Sequence, residues 1–424
     1  MRMTIAAVAG LALLALTAAL LSRGAQAHEG HTSITLLADG LAGLTGGAIG
    51  PDGAIYVVDA GTGGENIIQL PEEFGGGEAN WGLTARIIRI DPEVGDVTTA
   101  ASNLPSFESA DGAFSAADVE FLGGQMYWLL TGSVNELGID EWPNGVYRVT
   151  GGDDDEHDLV ADISAFNDAN PVDFPDAAPG GNPFALQARG AGFIVSDGNF
   201  NRLLQVQTTG SISLLAQFDN VVPTGLEHSA SGTLFNTWFS AFPHDPGDSK
   251  LVSVSVPGGN VSELAAGPAQ LIDVEQAEDG TLYVLQFGDQ QTDENAPPSP
   301  TGRIYRVEDD GDLTALVDGF TMATSLHFSD DTAYVTTLLG EVWQIEDFSS
   351  IQPLPEPTPA PTEQPTTAPQ PTPTVGGGVT APDTGSGGYR RDGAASGGLL
   401  AIALACTLAL TGMGAVAFAS KRPR

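Results

Sequence analysis

Gly47-Ala48-Ile49-Gly50-Pro51-Asp52-Gly53-Ala54-Ile55-Tyr56-Val57-Val58-Asp59 reads as a β-hairpin. An apolar run enters Pro-Asp-Gly, and a second run with an aromatic and β-branched centre leaves it. Asp-Gly between two such runs is the strongest short hairpin signal in a sequence, because the turn needs residues that tolerate positive φ. The pattern recurs at Asp273-Val274-Glu275-Gln276-Ala277-Glu278-Asp279-Gly280-Thr281-Leu282-Tyr283-Val284. Weaker copies centre on Met126-Tyr127-Trp128, Phe193-Ile194-Val195, Leu234-Phe235-Asn236 and Ala333-Tyr334-Val335.

Outward from each hairpin comes a third strand and usually a fourth. Arg86-Ile87-Ile88-Arg89-Ile90 with Val97-Thr98-Thr99, and Arg303-Ile304-Tyr305-Arg306-Val307 with Leu313-Thr314-Ala315-Leu316-Val317, are the clearest. Six units of about four strands predict an all-β, six-bladed β-propeller. The sixth unit lacks an outer strand after Val342-Trp343-Gln344-Ile345, and Ser33-Ile34-Thr35-Leu36-Leu37-Ala38-Asp39-Gly40 is expected to supply it. Pairing the first strand with the last blade ties the ring shut and removes an open edge. No helical period of useful length interrupts the pattern.

The charge balance narrows the partners. Fifteen Lys and Arg stand against 54 Asp and Glu, a net charge of −39. Nucleic acid is excluded for want of a basic footprint, and docking on anionic lipid is disfavoured. Such a chain stays soluble and attracts cations. One cysteine, Cys406, permits no intrachain disulfide. A monomer is expected.

The ends read as addresses. Residues 1–27 have the layout of a signal peptide, with Arg2, an apolar run and the small-x-small site Ala25-Gln26-Ala27. The propeller is assigned to 28–352 and a Pro/Thr/Gly-rich stalk to 353–398. Residues 399–419 are long and apolar enough for one transmembrane helix, and 420–424 form a basic cytoplasmic tail. Pro382, Asp383, Thr384 and Gly385 resemble the sorting signal of sortase substrates, with Ala381 in place of its leucine. A retained membrane helix and sortase transfer to the cell wall both put the protein outside the cytoplasm, on the cell surface.

The residues Gly53 to Asp59, Gly61-Thr62-Gly63-Gly64, Thr84 to Ile90, Asp162 to Asn167, Asn182-Pro183-Phe184, Val195-Ser196-Asp197-Gly198-Asn199 and Val222-Pro223-Thr224-Gly225-Leu226 resemble the ScyD/ScyE family of secreted propellers. That family is close to NHL and SMP-30-like six-bladed propellers. The resemblance spans 33–348 and implies the fold; it supplies no catalytic residues to carry over.

Chemistry is expected in the channel. Side chains alternate along a strand, so residues two apart on an inner strand share a face. Asp118 and Glu120 in the second unit, and Asp273 and Glu275 in the fifth, form such pairs. Gln187, Glu227 and His327 take the corresponding place in the third, fourth and sixth units, and Ala48 does in the first. Glu120, Glu227 and Glu275 are candidate metal ligands, suited to Ca²⁺ or another hard cation. A wet, polar channel lining without a ligand is the alternative. Asp153 to Asp158, His28-Glu29-Gly30-His31 and Phe242-Pro243-His244-Asp245-Pro246 are weaker clusters, read first as loops, a frayed end and a turn. Gly75-Gly76-Gly77 and Gly61 to Gly64 open no helix and so are not phosphate cradles. The leading functional expectation is a non-enzymatic module that binds a ligand or protein. The alternatives are a calcium-dependent enzyme such as an SMP-30-like lactonase and, third, a quinone-dependent sugar oxidoreductase.

Overall fold

Leu44–Ile49 and Ile55–Asp59 pair antiparallel, with Ile49 opposite Ile55 and Ala48 opposite Tyr56. The turn between them closes as expected from Asp-Gly: the Gly53 N–H donates to the Gly50 carbonyl at 2.9 Å, and Gly53 sits at φ +79°. This computed structural model describes residues 33–355 apart from 71–76, 110–111, 133–136, 140, 152–155, 175–176, 178–179, 230, 242–243 and 291–297. The signal-like segment, most of the stalk, the sorting-like motif, the apolar stretch 399–419 and the tail lie outside the described residues. Among the described residues no helix is long and apolar enough to cross a membrane.

The described strands form six antiparallel sheets, one per blade. The inner strands are Leu44–Ile49, Ala116–Leu122, Pro183–Arg189, Pro223–His228, Leu271–Gln276 and Ala323–Ser329, for blades 1 to 6. Ile34–Ala38 closes blade 6 as its outer strand, with Ile34 opposite Ile345 and Leu36 opposite Trp343. The ring is therefore held by main-chain pairing between the start and the end of the propeller sequence.

Blades stack face to face, so second strands are buried on both sides. This is why Ile55–Asp59, all five residues buried, reads as a continuous apolar run and not as an alternation. Each seam has its own apolar cluster. Val58, Ile87, Trp128 and Tyr147 meet between blades 1 and 2, while Leu44, Ile55, Tyr334 and Val342 join blade 6 to blade 1.

Blade 1 is larger than the sequence pattern suggests. Its third and fourth strands run Glu78–Ile90 and Val97–Ser109, thirteen residues each, far beyond the expected 86–90 and 97–99. Asn66–Gln69 and Gly112–Phe114 add two more strands to the extension. The glycines at 61–64 explain how: a Cβ on Gly64 would collide with the Trp81 main chain, and the Gly63 N–H donates to Ser106 Oγ at 2.9 Å. One short helix, Ile163–Ala169, is also present, capped by Asp162, which accepts from the Ala165 N–H at 2.8 Å. Seven residues are too few for a helical period to stand out.

Deleting residues 33–38 would leave blade 6 with three strands and an open edge. The expected result is a lower melting temperature and concentration-dependent association in analytical ultracentrifugation. A shortened chain that melts like the parent and stays monomeric would contradict closure by this strand.

Candidate functional site

The inner strands carry two tiers of channel-facing residues. One tier holds Gly46, Asp118, Ala185, Gly225, Asp273 and Ser325, each two residues before its strand's member of the other tier. Ala48, Glu120, Gln187, Glu227, Glu275 and His327 form the other. All seven polar residues singled out from the sequence line one cavity of about 220 Å³. No Lys or Arg is among its lining residues.

The two aspartates tie blades together. Asp118 accepts the N–H of Val119 on its own strand and that of Leu186 on blade 3, both at 2.8 Å. Asp273 does the same from blade 5, accepting Val274 N–H at 2.9 Å and Leu326 N–H on blade 6 at 2.8 Å. Both bonds need space from the preceding blade. A Cβ on Gly46 would lie 2.5 Å from Asp118 Oδ1, and one on Gly225 would strike Asp273 in the same way. Each such hydrogen bond is worth about 0.5–1.5 kcal/mol, rising to about 1.5–3 kcal/mol when the carboxyl is ionised.

The glutamates are less fully engaged. Glu120 accepts Phe121 N–H at 2.6 Å and Ala188 N–H at 3.2 Å, with the Gln187 amide at 3.5 Å. Glu275 accepts Phe328 N–H at 3.3 Å. Glu227 and Glu275 line the same cavity and each acts on the other's titration. The His327 Nε2 atom is shut off from solvent and has no hydrogen-bond partner.

Packing five carboxyls into one low-dielectric space raises all their pKa values. Burial pushes Glu120 and Asp273 up to about 7, against their N–H donors and with the Glu227 charge adding to the shift. Burial drives Asp118 and Glu275 well above the usual carboxylate range, and neighbouring carboxylates push them further. Glu227 is raised by burial and is the common neighbour of Glu120, Asp273 and Glu275. Burial lowers His327 to about 4, leaving a neutral imidazole at pH 7.

The three candidate metal ligands do not stand as a cage. Among the described residues no group of three or more His, Cys, Asp or Glu side chains is placed to hold a metal ion. Glu120 is bound to the blade 3 main chain and Glu275 to that of blade 6.

The weaker clusters have structural partners where they are described. His157 Nε2 lies 2.7 Å from the Ser102 carbonyl, and Trp128 Nε1 donates to its Nδ1 at 3.2 Å. Asp158 pairs with Arg148 at 2.8 Å. His244 is buried, with Nδ1 2.8 Å from the Ser240 carbonyl. Residues 28–31, 75–76, 153–155 and 242–243 lie outside the described residues, and Gly61 to Gly64 serve the blade 1 extension. Arg86, Arg89, Arg303 and Arg306 pair with Asp59, Asp52, Asp289 and Glu308 away from the channel.

The sequence reading missed Phe184, Thr324 and Ser325, which also line the cavity, and the main-chain partners of the aspartates. The latter had a signal in Thr-Gly at 45–46 and 224–225 and Asp-Val-Glu at 118–120 and 273–275, two matched pairs at the same blade positions.

No protein-family model matches the chain, and no curated protein matches it. Solved structures do match. A gluconolactonase from Xanthomonas campestris is 13% identical, with a TM-score of 0.50 over 76% of this chain and 94% of that one. A luciferin-regenerating enzyme is 11% identical, with a TM-score of 0.47 over 76% and 97%. A protein of unknown function from Bacteroides thetaiotaomicron is 10% identical, with a TM-score of 0.48 over 74% and 76%. The likeness at these identities is one of fold, the six-bladed ring.

The carboxyl ring gives stability a defined pH dependence. Unfolded Asp and Glu release their protons near 3.8 and 4.5, whereas folded Asp273 and Glu120 hold theirs to about 7. The folded chain binds more protons over that interval, so stability is full below the unfolded values and is lost as pH rises through about 7. His327 opposes this between its unfolded 6.5 and its folded value of about 4, as one group against five carboxyls. Without added divalent cations, the melting temperature is expected to fall between pH 5 and pH 8. Glu120→Gln should flatten that slope and the exposed Asp309→Asn should not, as scanning calorimetry can show.

Proposed function

We propose that this protein is a cell-surface binding module of the ScyD/ScyE kind whose propeller channel takes up a small, positively charged ligand. One observation carries the reading: five carboxyl groups face a cavity of about 220 Å³ that no Lys or Arg lines. Buried negative charge needs protons, N–H donors or a cation. Main-chain N–H groups serve Asp118, Asp273 and Glu120, and Glu275 has one longer bond from Phe328, so a proton is the means left for Glu227 and Glu275 to shed charge. A cation can replace that proton. The exposed ring faces, the predicted stalk and the predicted anchor, by membrane helix or sortase, fit presentation of the ring outside the cell.

Ca²⁺ held wholly by protein does not fit these residues. Calcium takes 6–8 oxygens, and the described side chains present no group of three ligands. The same channel fits a cation that is bound by charge and a few hydrogen bonds.

A second reading, hydrolysis of a lactone, is favoured by the Glu227–Glu275 pair. Two carboxyls and a neutral imidazole that line one cavity are a workable acid–base set. The Xanthomonas gluconolactonase shares the ring architecture.

Isothermal titration of the purified protein with methylammonium and with CaCl₂ at matched ionic strength tests the first reading. Saturable binding of at least one cation is expected, weakened at least tenfold in Glu227→Gln/Glu275→Gln. No binding of either would overturn it. Turnover of glucono-lactone above the uncatalysed rate, lost in the same double variant, would favour the second.

A further inference from the structure

Away from the channel, two clefts open from corresponding strands, one between blades 1 and 2 and one between blades 4 and 5. Arg148 of blade 2 lies opposite Tyr127 in the ladder, and Arg306 of blade 5 lies opposite Tyr283. Gly124 and Gly280 turn the hairpins before these tyrosines at φ +82° and +90°. The two arginines therefore hold the same place in their blades, and each lines its cleft.

Their surroundings differ in charge. The cleft at blades 4 and 5 sets Asp279, Glu308, Asp309 and Asp310 around Arg306. Glu308 Oε1 accepts from Arg306 Nε at 2.9 Å, with Nη2 at 2.8 Å, and this bond holds the Glu308 carboxyl below its usual range. The cleft at blades 1 and 2 has a volume of about 580 Å³, and among its described lining residues are Arg89 and Arg148 but no acid. Thr150 follows Arg148 where Glu308 follows Arg306, and Gly123 stands where Asp279 does. Arg89, opposite Tyr56 in blade 1, has as its counterpart in blade 4 Ser253, opposite Phe235. The atom that Glu308 satisfies in blade 5 is left over in blade 2: Arg148 Nε has no hydrogen-bond partner. A chain of 54 acids and 15 bases thus withholds acids from one cleft and adds a base to it.

We propose that the cleft between blades 1 and 2 binds a small organic carboxylate on Arg148 and Arg89, as blade 5 holds the Glu308 carboxyl on Arg306. The site is separate from the channel and takes a ligand of the opposite charge. A guanidinium fork matches a carboxylate, and Phe121 and Met126 line the cleft for the carbon part. Arg89 and Arg148 lie 2.8 Å from Asp52 and Asp158 in pairs that are partly exposed, and such pairs are weakly held. The Arg148 side chain is 44% exposed, so its Nε edge can turn to an acceptor. At about 0.15 M salt the acids of the wider chain are screened beyond about 8 Å, so contact with the two arginines decides.

Titration of the purified full chain with 4-fluorobenzoate at that salt, read by fluorine NMR, tests the site. Saturable binding is expected, and 4-fluorobenzamide, a similar ring without the charge, should not bind. Thr150→Glu supplies the blade 5 carboxyl from within and should weaken benzoate binding about tenfold, as should Arg148→Gln. Glu227→Gln/Glu275→Gln, in the channel, should leave it unchanged. No saturable binding by the parent, or equal binding by Thr150→Glu, would overturn the proposal. Displacement by inorganic phosphate at equal concentration would overturn the carboxylate assignment. Asp153 to Asp155 follow this cleft in sequence and lie outside the described residues. Binding seen only after Asp153→Asn/Asp154→Asn/Asp155→Asn would give the cleft to that acidic run and overturn the proposal too.

Discussion

Asp118 and Asp273 each hold the N–H of a leucine on the neighbouring blade, at 2.8 Å, inside a channel with no lining Lys or Arg. The rest of the molecule is arranged around that pair of contacts. They need the space left by Gly46 and Gly225 on one side and the N–H of Leu186 and Leu326 on the other, so each carboxyl bonds two inner strands and packs against a glycine on a third. Each inner strand has a ladder irregularity near this tier.

Burying carboxylates for this purpose has an electrostatic consequence. Once two aspartates are fixed, every further acid in the tier beyond them is pushed towards its neutral form. Glu120 is relieved by N–H donors from Phe121 and Ala188. Glu275 has one longer N–H donor from Phe328, and burial raises both it and Glu227. The ring thus divides its acids into a set that holds blades and a pair whose charge is left for something else to neutralise. Fold and candidate site are built from the same residue type in adjacent tiers.

Much of this was legible in the sequence. Pro51-Asp52-Gly53 and Asp279-Gly280 announce hairpins because the turn geometry selects those residues, and the six-blade plan follows by counting. The Asp-x-Glu alternation at 118–120 and 273–275 placed the carboxyls on the channel face because a strand has a period of two. Ser33 to Gly40 was readable as the closing strand because blade 6 lacked one. What was not legible depends on contacts between distant segments. Main-chain N–H groups leave no mark in composition, so the partners of Asp118 and Asp273 were invisible. The extension of blade 1 rests on Gly61, Gly63 and Gly64 lying against Thr84, Asn80 and Trp81, contacts that local propensity does not report. The likeness of Ile34 to Ala38 and Ile212 to Ala216 stands in the sequence, but only the ladder register gives both the place of an outer strand.

The division between holding and receiving acids is the central claim, and one comparison tests it. Asp118→Asn/Asp273→Asn and Glu227→Gln/Glu275→Gln should be melted and titrated with methylammonium side by side. The aspartate pair is expected to lower the melting temperature, since each asparagine can accept only one of the two N–H groups through its carbonyl oxygen. The glutamate pair is expected to keep or raise the melting temperature and to lose binding. Equal destabilisation by both pairs, with binding intact in the glutamate variant, would contradict the account.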